Sequence, residues 1–324
     1  MIGKVSPDDL AAHVFTHTGA ESDAVVQGPA YGEDAAAIDL GGQLLVVSSD
    51  PISLAIDRVG TLGVNVACND VAASGADPQW LTASVHLPGD VDDGDRAIER
   101  IAGQLDAAAR EIGVAIVGGH SEYDPGRSRP LLGLTCMGTT DRFVPTGGAE
   151  PGDRVLLTKG AGIEGTAILA TDFRERFPSV PDATLDRAGD FYGDISVIGD
   201  ALAVREYATA MHDPTEGGLI DGLLELAAAS GVEVAVDREA IPVREETATI
   251  CEAAGVDPLR IFGSGALVAT VPEDSLGTAL DALDAADVAA AEIGEVREAD
   301  DPRLELDGET HTEPVRDDLY ALWE

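Results

Sequence analysis

The sequence predicts an α/β protein in two domains, residues 1–148 and 149–324, and three features carry that expectation. Short apolar runs alternate with helix-period stretches through the first half. Residues 145–153, rich in proline and glycine, then break the pattern and lack apolar periodicity. Beyond them the alternation of strand and helix restarts.

Residues 43–49 (QLLVVSS) are a short apolar run ending at Asp50 and Pro51, which suits a buried strand delivering an acid at its end. Residues 60–75 read as a helix with Leu62 and Val66 on one face. Leu81, Ala83, Val85 and Leu87 alternate within 80–87, a strand signature. Residues 95–112 space Ile98, Ile101, Leu105, Ala108 and Ile112 by three and four, an amphipathic helix. A second buried strand is predicted at 114–117, running into Gly118, Gly119, His120, Ser121 and Glu122, and another at 131–137. In the second domain, strands are expected at 154–158, 232–236 and 266–271, with helices near Thr166 and Ser196 and over 217–230.

An apolar fraction of 44% in 324 residues suffices for a sizeable core. No stretch reaches the roughly 18 uninterrupted apolar residues of a membrane span. The first ten residues carry no apolar signal core, so a cytoplasmic protein is expected. Cys68, Cys136 and Cys251 are far apart and form no Cys-x-x-Cys pair, so they read as buried small residues rather than disulfides or zinc ligands. The formal charge of −40, from 60 acids against 20 bases, argues against nucleic acid and anionic membrane as partners. Only Lys4 and Lys159 are lysines. Acids spread evenly along a chain poor in lysine and aromatics predict a halophilic surface, with repulsion screened over about 3 Å at 1 M salt.

Four acids do not fit a solvated face. Asp34 lies between Gly32 and the apolar run 35–38, and Asp50 ends an apolar strand. Asp70 follows Val66 by four residues and Leu62 by eight, so it falls on the apolar stripe of its own helix. Glu122 follows a strand that closes in two glycines. Each alone could cap or turn the chain. A carboxylate in apolar surroundings is costly unless paired or bound to metal, and several together are what Mg²⁺ prefers. Glycines at 32, 118 and 119 permit close backbone approach to phosphate, and no Gly-x-x-x-x-Gly-Lys-(Ser/Thr) loop is present.

At these residues the chain resembles the AIR synthase-related (PurM-like) superfamily, most of all its hydrogenase-maturation HypE-like branch. Gly32-Glu33-Asp34-Ala35-Ala36 is similar to the Gly-Asp-Asp-Ala-Ala loop of HypE and thiamine-monophosphate kinase proteins. Asn69-Asp70-Val71-Ala72, followed by Gly75-Ala76-Asp77-Pro78, resembles that family's helix and its Gly-Ala-x-Pro turn. Gly118-Gly119-His120-Ser121-Glu122 stands where relatives carry Gly-Gly-Glu or Gly-Asp-Thr. Asp213-Pro214-Thr215-Glu216-Gly217-Gly218-Leu219 resembles Asp-Pro-Thr-Arg-Gly-Gly-Leu, and Ser264-Gly265-Ala266-Leu267 a late Ser-Gly turn.

The resemblance implies a two-domain PurM-like fold: an N-terminal mixed sheet that pairs across a homodimer, and a C-terminal α/β sandwich. It implies ATP at the dimer interface, with Mg²⁺ held by Asp34, Asp50 and Asp70. Gly32, Asn69, Gly118, Gly119 and Glu122 become the cofactor-binding candidates, and His120, Asp213 and Lys159 the catalytic ones. For Lys159 the alternatives are a phosphate contact or a surface lysine; for His120, a ligand contact or a turn. For Asp213 they are an anion-binding helix start or a cap.

HypE proteins end in a cysteine that receives a carbamoyl group, whereas no cysteine follows Cys251 here. Selenophosphate synthesis needs an N-terminal cysteine or selenocysteine on a glycine-rich loop, and the first cysteine here is Cys68. The expectation is therefore ATP-dependent activation or phosphorylation of an unidentified small molecule. A non-catalytic nucleotide-binding maturation partner and a thiamine-monophosphate kinase-like enzyme are the alternatives.

Overall fold

The computed structural model describes residues 3–55, 57–89 and 94–324, so Met1 and Ile2 of the segment read for an export signal lie outside them. The N-terminal part runs α1 (Pro7–His13), β1 (Val25–Gln27), β2 (Ala35–Asp39), β3 (Leu44–Ile52), α2 (Val59–Ala73), β4 (Asp77–Pro88), α3 (Gly94–Ile112), β5 (Ala115–Asp124) and β6 (Leu131–Thr140). Its strands form one mixed sheet in the order β1-β2-β3-β6-β4-β5. Only β4 and β5 pair in parallel, and α3 makes the crossover between them. Along β4 and β6 buried residues alternate with partly exposed ones, so one sheet face meets the core under α2 and α3.

The C-terminal part follows as β7 (Asp153–Thr158), α4 (Ile163–Thr171), α5 (Asp182–Gly189), α6 (Ile198–Val204), β8 (Ala210–His212), α7 (Gly218–Ser230) and β9 (Glu233–Val236). It continues with α8 (Glu245–Ala254), β10 (Val268–Pro272), α9 (Leu276–Ala285), β11 (Ala290–Arg297), β12 (Arg303–Leu306) and β13 (Glu309–His311). Its sheet is ordered β13-β12-β9-β11-β7-β10-β8. The two sheets and their helices make the two-domain α/β arrangement expected from the sequence. All three cysteines are buried, and the sulfurs of Cys68 and Cys136 lie 3.4 Å apart between α2 and β6.

Two elements differ from their sequence reading. Helix α2 was expected to hide one face, yet every residue from Val59 to Ala73 except Thr61 is buried. It lies between its own sheet and the second domain, touching β3, β6 and α6, so it is buried on all sides. Strand β5, expected as a short buried strand, is instead exposed along nearly all its length and carries Gly118 to Glu122 within it. It is an edge strand, hydrogen-bonded only to β4 among the described residues. A short apolar run does not by itself tell an edge from a centre.

Asn69, in the last turn of α2, joins the domains. Its Nδ2 donates to the Ile195 carbonyl and its Oδ1 accepts from the Val197 N–H, both at 2.9 Å and buried. Arg205 adds a second tie, donating to the Gly75 carbonyl at 3.1 Å and pairing with Asp77 at 3.2 Å. Asn69→Ala leaves a buried carbonyl and a buried N–H unpaired, each costing about 1–3 kcal/mol. The denaturant midpoint of the metal-free protein should therefore fall measurably, and an unchanged midpoint would remove Asn69 from this role.

Candidate functional site: an acidic cleft between the domains

Asp34 precedes β2 in a turn that needs glycine at 32. There φ is +81°, and a Cβ would come within 2.9 Å of the Glu225 carbonyl on α7. The neighbouring Glu33 pins that turn by accepting N–H groups from Thr146 at 3.2 Å and Gly147 at 2.8 Å. Ser48 and Asp50, two apart on β3, project to the same side of the sheet. Asp70 enters from the last turns of α2, and Asp213 follows β8.

These segments bring the acids together. One carboxylate oxygen each from Asp34, Asp70 and Asp213 lies within 4.8 Å of the others. The Ser48 hydroxyl reaches Asp70 at 2.5 Å and Asp50 at 3.1 Å, so one proton is offered to two carboxylates. Asp70 and Asp213 are 4% and 1% exposed. Burial, then the charges of Asp50 and Asp213, raises Asp70 well above the usual carboxylate range. Burial and Asp34 push Asp213 up to about 8.

One chain of groups opposes this repulsion. His212 sits with Nδ1 3.0 Å from Asp34 Oδ2, an ion-pair contact without hydrogen-bond alignment, and Nε2 3.0 Å from Glu225 Oε2. Glu225 in turn receives Lys4 Nζ at 2.7 Å. Burial pulls His212 down, but Asp34 and Glu225 outweigh it and keep the imidazole protonated. Burial raises Glu225, and Lys4 and His212 overcome that to hold it near about 2.

Asp34, Asp50 and Asp70 form one end of a cleft between the domains. Leu54, Val66, Ile168 and Phe262 supply apolar wall, and Glu164, Thr215, Glu216 and Ser264 line the C-terminal side. Both carboxylate oxygens of Asp213 are buried without a hydrogen-bond donor. Orphaned acceptors among other carboxylates fit a hard divalent cation with oxygen ligands.

Of the sequence candidates, Gly32, Asp34, Asp50, Asp70 and Asp213 meet at this cleft, with Gly32 supporting from behind. Asn69 is next to it but spends its amide on the domain tie. Lys159 is not at the cleft; its ammonium is taken by the carbonyls of Asp194 and Ser196 and the carboxylate of Asp200, at 3.1, 2.6 and 3.2 Å. Gly118, Gly119, His120 and Glu122 lie on β5, three strands from β3, or about 14 Å at the usual spacing. There His120 and Glu122 approach to 3.4 Å, and Glu122 also meets His86 at 3.0 Å. Sequence reasoning missed Ser48, Lys4, Glu225, Glu164 and the role of His212. Only His212 had a signal, its place immediately before the quoted motif that starts at Asp213.

Residues 32–140 match the AIR synthase related protein N-terminal domain and residues 150–307 its C-terminal domain. A carbamoyl dehydratase HypE from Rhizobium leguminosarum bv. viciae is 32% identical over 265 residues, covering 78% of this chain and 73% of the relative. A selenide, water dikinase from Nitratidesulfovibrio vulgaris is 34% identical over 255 residues, covering 74% and 69%. Among solved structures, a chain of a HypE–HypF complex superposes with a TM-score of 0.75 at 25% identity, covering 93% of this chain and 98% of that one. The chain belongs to the AIR synthase related protein family and, within it, is HypE-like.

Proposed function

We propose that this chain is a Mg²⁺- and ATP-dependent enzyme that activates or phosphorylates a small molecule. Asp34, Asp50, Asp70 and Asp213 would hold the metal ions, which supply charge neutralisation on the triphosphate when bound. The observation that carries this reading is the convergence of these acids from both domains, with Asp213 buried and without a donor. Dehydratase and dikinase relatives at 32% and 34% identity favour catalytic turnover over simple binding.

The residues present would divide the work. The Lys4–Glu225–His212 chain orients Asp34, and Ser48 orients Asp50 and Asp70. The apolar wall from Leu54 to Phe262 keeps water from the reacting end. A homodimer joined along the exposed β5 edges belongs to the same proposal. It would cover Ile116, Val117 and Tyr123, and would offer Gly118, Gly119, His120 and Glu122 to the nucleotide.

Acid pairing sets the pH response. Asp70 and Asp213 keep protons in the fold that the unfolded chain releases near pH 4, so the native state binds more protons above that pH. Stability of the metal-free protein should fall as pH rises from about 4 to about 8. Mg²⁺ needs bare carboxylates, so its stabilising effect should grow over the same window. Melting curves with and without Mg²⁺ at pH 5 and pH 8 check this; an equal Mg²⁺ shift at both would contradict it.

Asp70→Asn separates fold from function. It should raise the melting temperature of the metal-free protein at pH 8 by removing a repelled buried charge. It should also lower ATP turnover with a competent acceptor by about 100-fold or more. Retention of both Mg²⁺-ATP stabilisation and turnover would sink the metal assignment.

A further inference from the structure

We propose that the C-terminal wall of the cleft is the acceptor subsite and takes an organic cation, a protonated amine on an apolar frame. The proposal deepens the functional reading above and rests on it for naming the bound molecule an acceptor.

Charge and hydrogen-bonding capacity on this wall point the same way. No lysine, arginine or histidine lines the cleft among the described residues. Metal ions would neutralise the aspartates, which leaves Glu164 and Glu216 of the C-terminal domain. Neither has an ion-pair partner among the described residues, and Glu216 receives only the Thr215 hydroxyl at 3.3 Å. Glu164 is 9% exposed, in the first turn of α4. Behind both stands Asp317, whose carboxylate accepts the Gly217 and Leu319 N–H groups and adds a further negative charge.

Ser264 supplies an independent observation. It is fully buried and lines the cleft, and its hydroxyl makes no hydrogen bond of good geometry although Glu164 is close. An unsatisfied buried hydroxyl is costly, and a ligand N–H beside Glu164 would satisfy it. Burial drives the Glu164 carboxyl up to about 7, as expected of an acid that lacks its counter-charge. A carboxylate or phosphate in the same place would meet two glutamates, and the nearby Lys4 ammonium is already held by Glu225. Phe262 and Ile168 flank the position and would pack against the hydrocarbon part of the ligand, with the Phe262 ring also able to face an ammonium.

The test is calorimetric titration of butylamine, butanol and butyrate, with and without Mg²⁺ and a non-hydrolysable ATP analogue. Butylamine should bind at least about tenfold more tightly than butyrate, with butanol between them. Glu164→Gln should cut that advantage about tenfold, and Glu216→Arg should turn the preference towards butyrate. Equal or tighter binding of butyrate would overturn the proposal. So would an amine preference that survives both substitutions in proteins that melt like the parent. Nucleotide affinity is read separately: if Mg²⁺ and the analogue fail to bind, the ATP reading falls. The amine preference is still decided by the titrations without nucleotide.

Discussion

Four carboxylates from two domains are held where electrostatics opposes their meeting. Two like charges about 5 Å apart repel by about 3 kcal/mol at an effective dielectric of about 20. The fold answers this in two ways. It fixes each acid on a segment anchored elsewhere: the Gly32 turn, the β3 register, a helix buried on all sides, and the loop after β8. It also places counter-charge behind the cluster through Lys4, Glu225 and His212. The chain's two lysines are both committed to carboxylates of the C-terminal domain, Lys4 to Glu225 and Lys159 to Asp200. In a protein with sixty acids, both lysines are spent on buried carboxylates.

The acidic part of the site was legible because each acid broke a local rule. Asp50 ended an apolar strand, Asp70 sat on an apolar stripe, and Asp34 stood between a glycine and an apolar run. Such conflicts between local pattern and residue type tend to mark functional positions. The reading was less complete for polar residues whose partners are remote. Asn69 and Lys159 were singled out, but the sequence did not say whether backbone or ligand would take their hydrogen bonds. The structure gives both to the backbone, Asn69 to the Ile195 carbonyl and the Val197 N–H, Lys159 to two carbonyls with Asp200 as well. Lys4 meets a partner 221 residues away, and Ser48 one 22 away; no periodicity encodes such contacts.

Strand β5 shows the other limit. Its run of alanine, isoleucine and valine has the composition of a central strand, and it lies at a sheet edge. An exposed apolar edge is a pairing hazard that single chains usually blunt with charge or proline. Here residues 115–121 carry neither acid nor lysine, and Trp80 on the adjoining strand is also exposed. The proposed homodimer accounts for this edge without any further element of this chain.

The spacing between the two ends of the cleft is set by backbone packing rather than by the charges themselves. Gly217 and Gly218 are both left-handed, and a Cβ on Gly218 would come within 2.6 Å of the Leu259 and Ile261 carbonyls. Gly263 packs against the Pro214 carbonyl just as closely, where a Cβ would sit at 2.8 Å. The turn carrying Asp213, Thr215 and Glu216 is therefore nested into the turn carrying Phe262 and Ser264, with no room for either to slide. The Pro214 ring also fills the space beside Gly222 on α7, tying the same turn to the helix that holds Glu225. Protonation or metal binding at the aspartates changes the charge at one end while the glutamate wall stays at a fixed distance. A ligand spanning the cleft meets a preset gap between an aspartate end and a glutamate end, and length as well as charge becomes a criterion of fit.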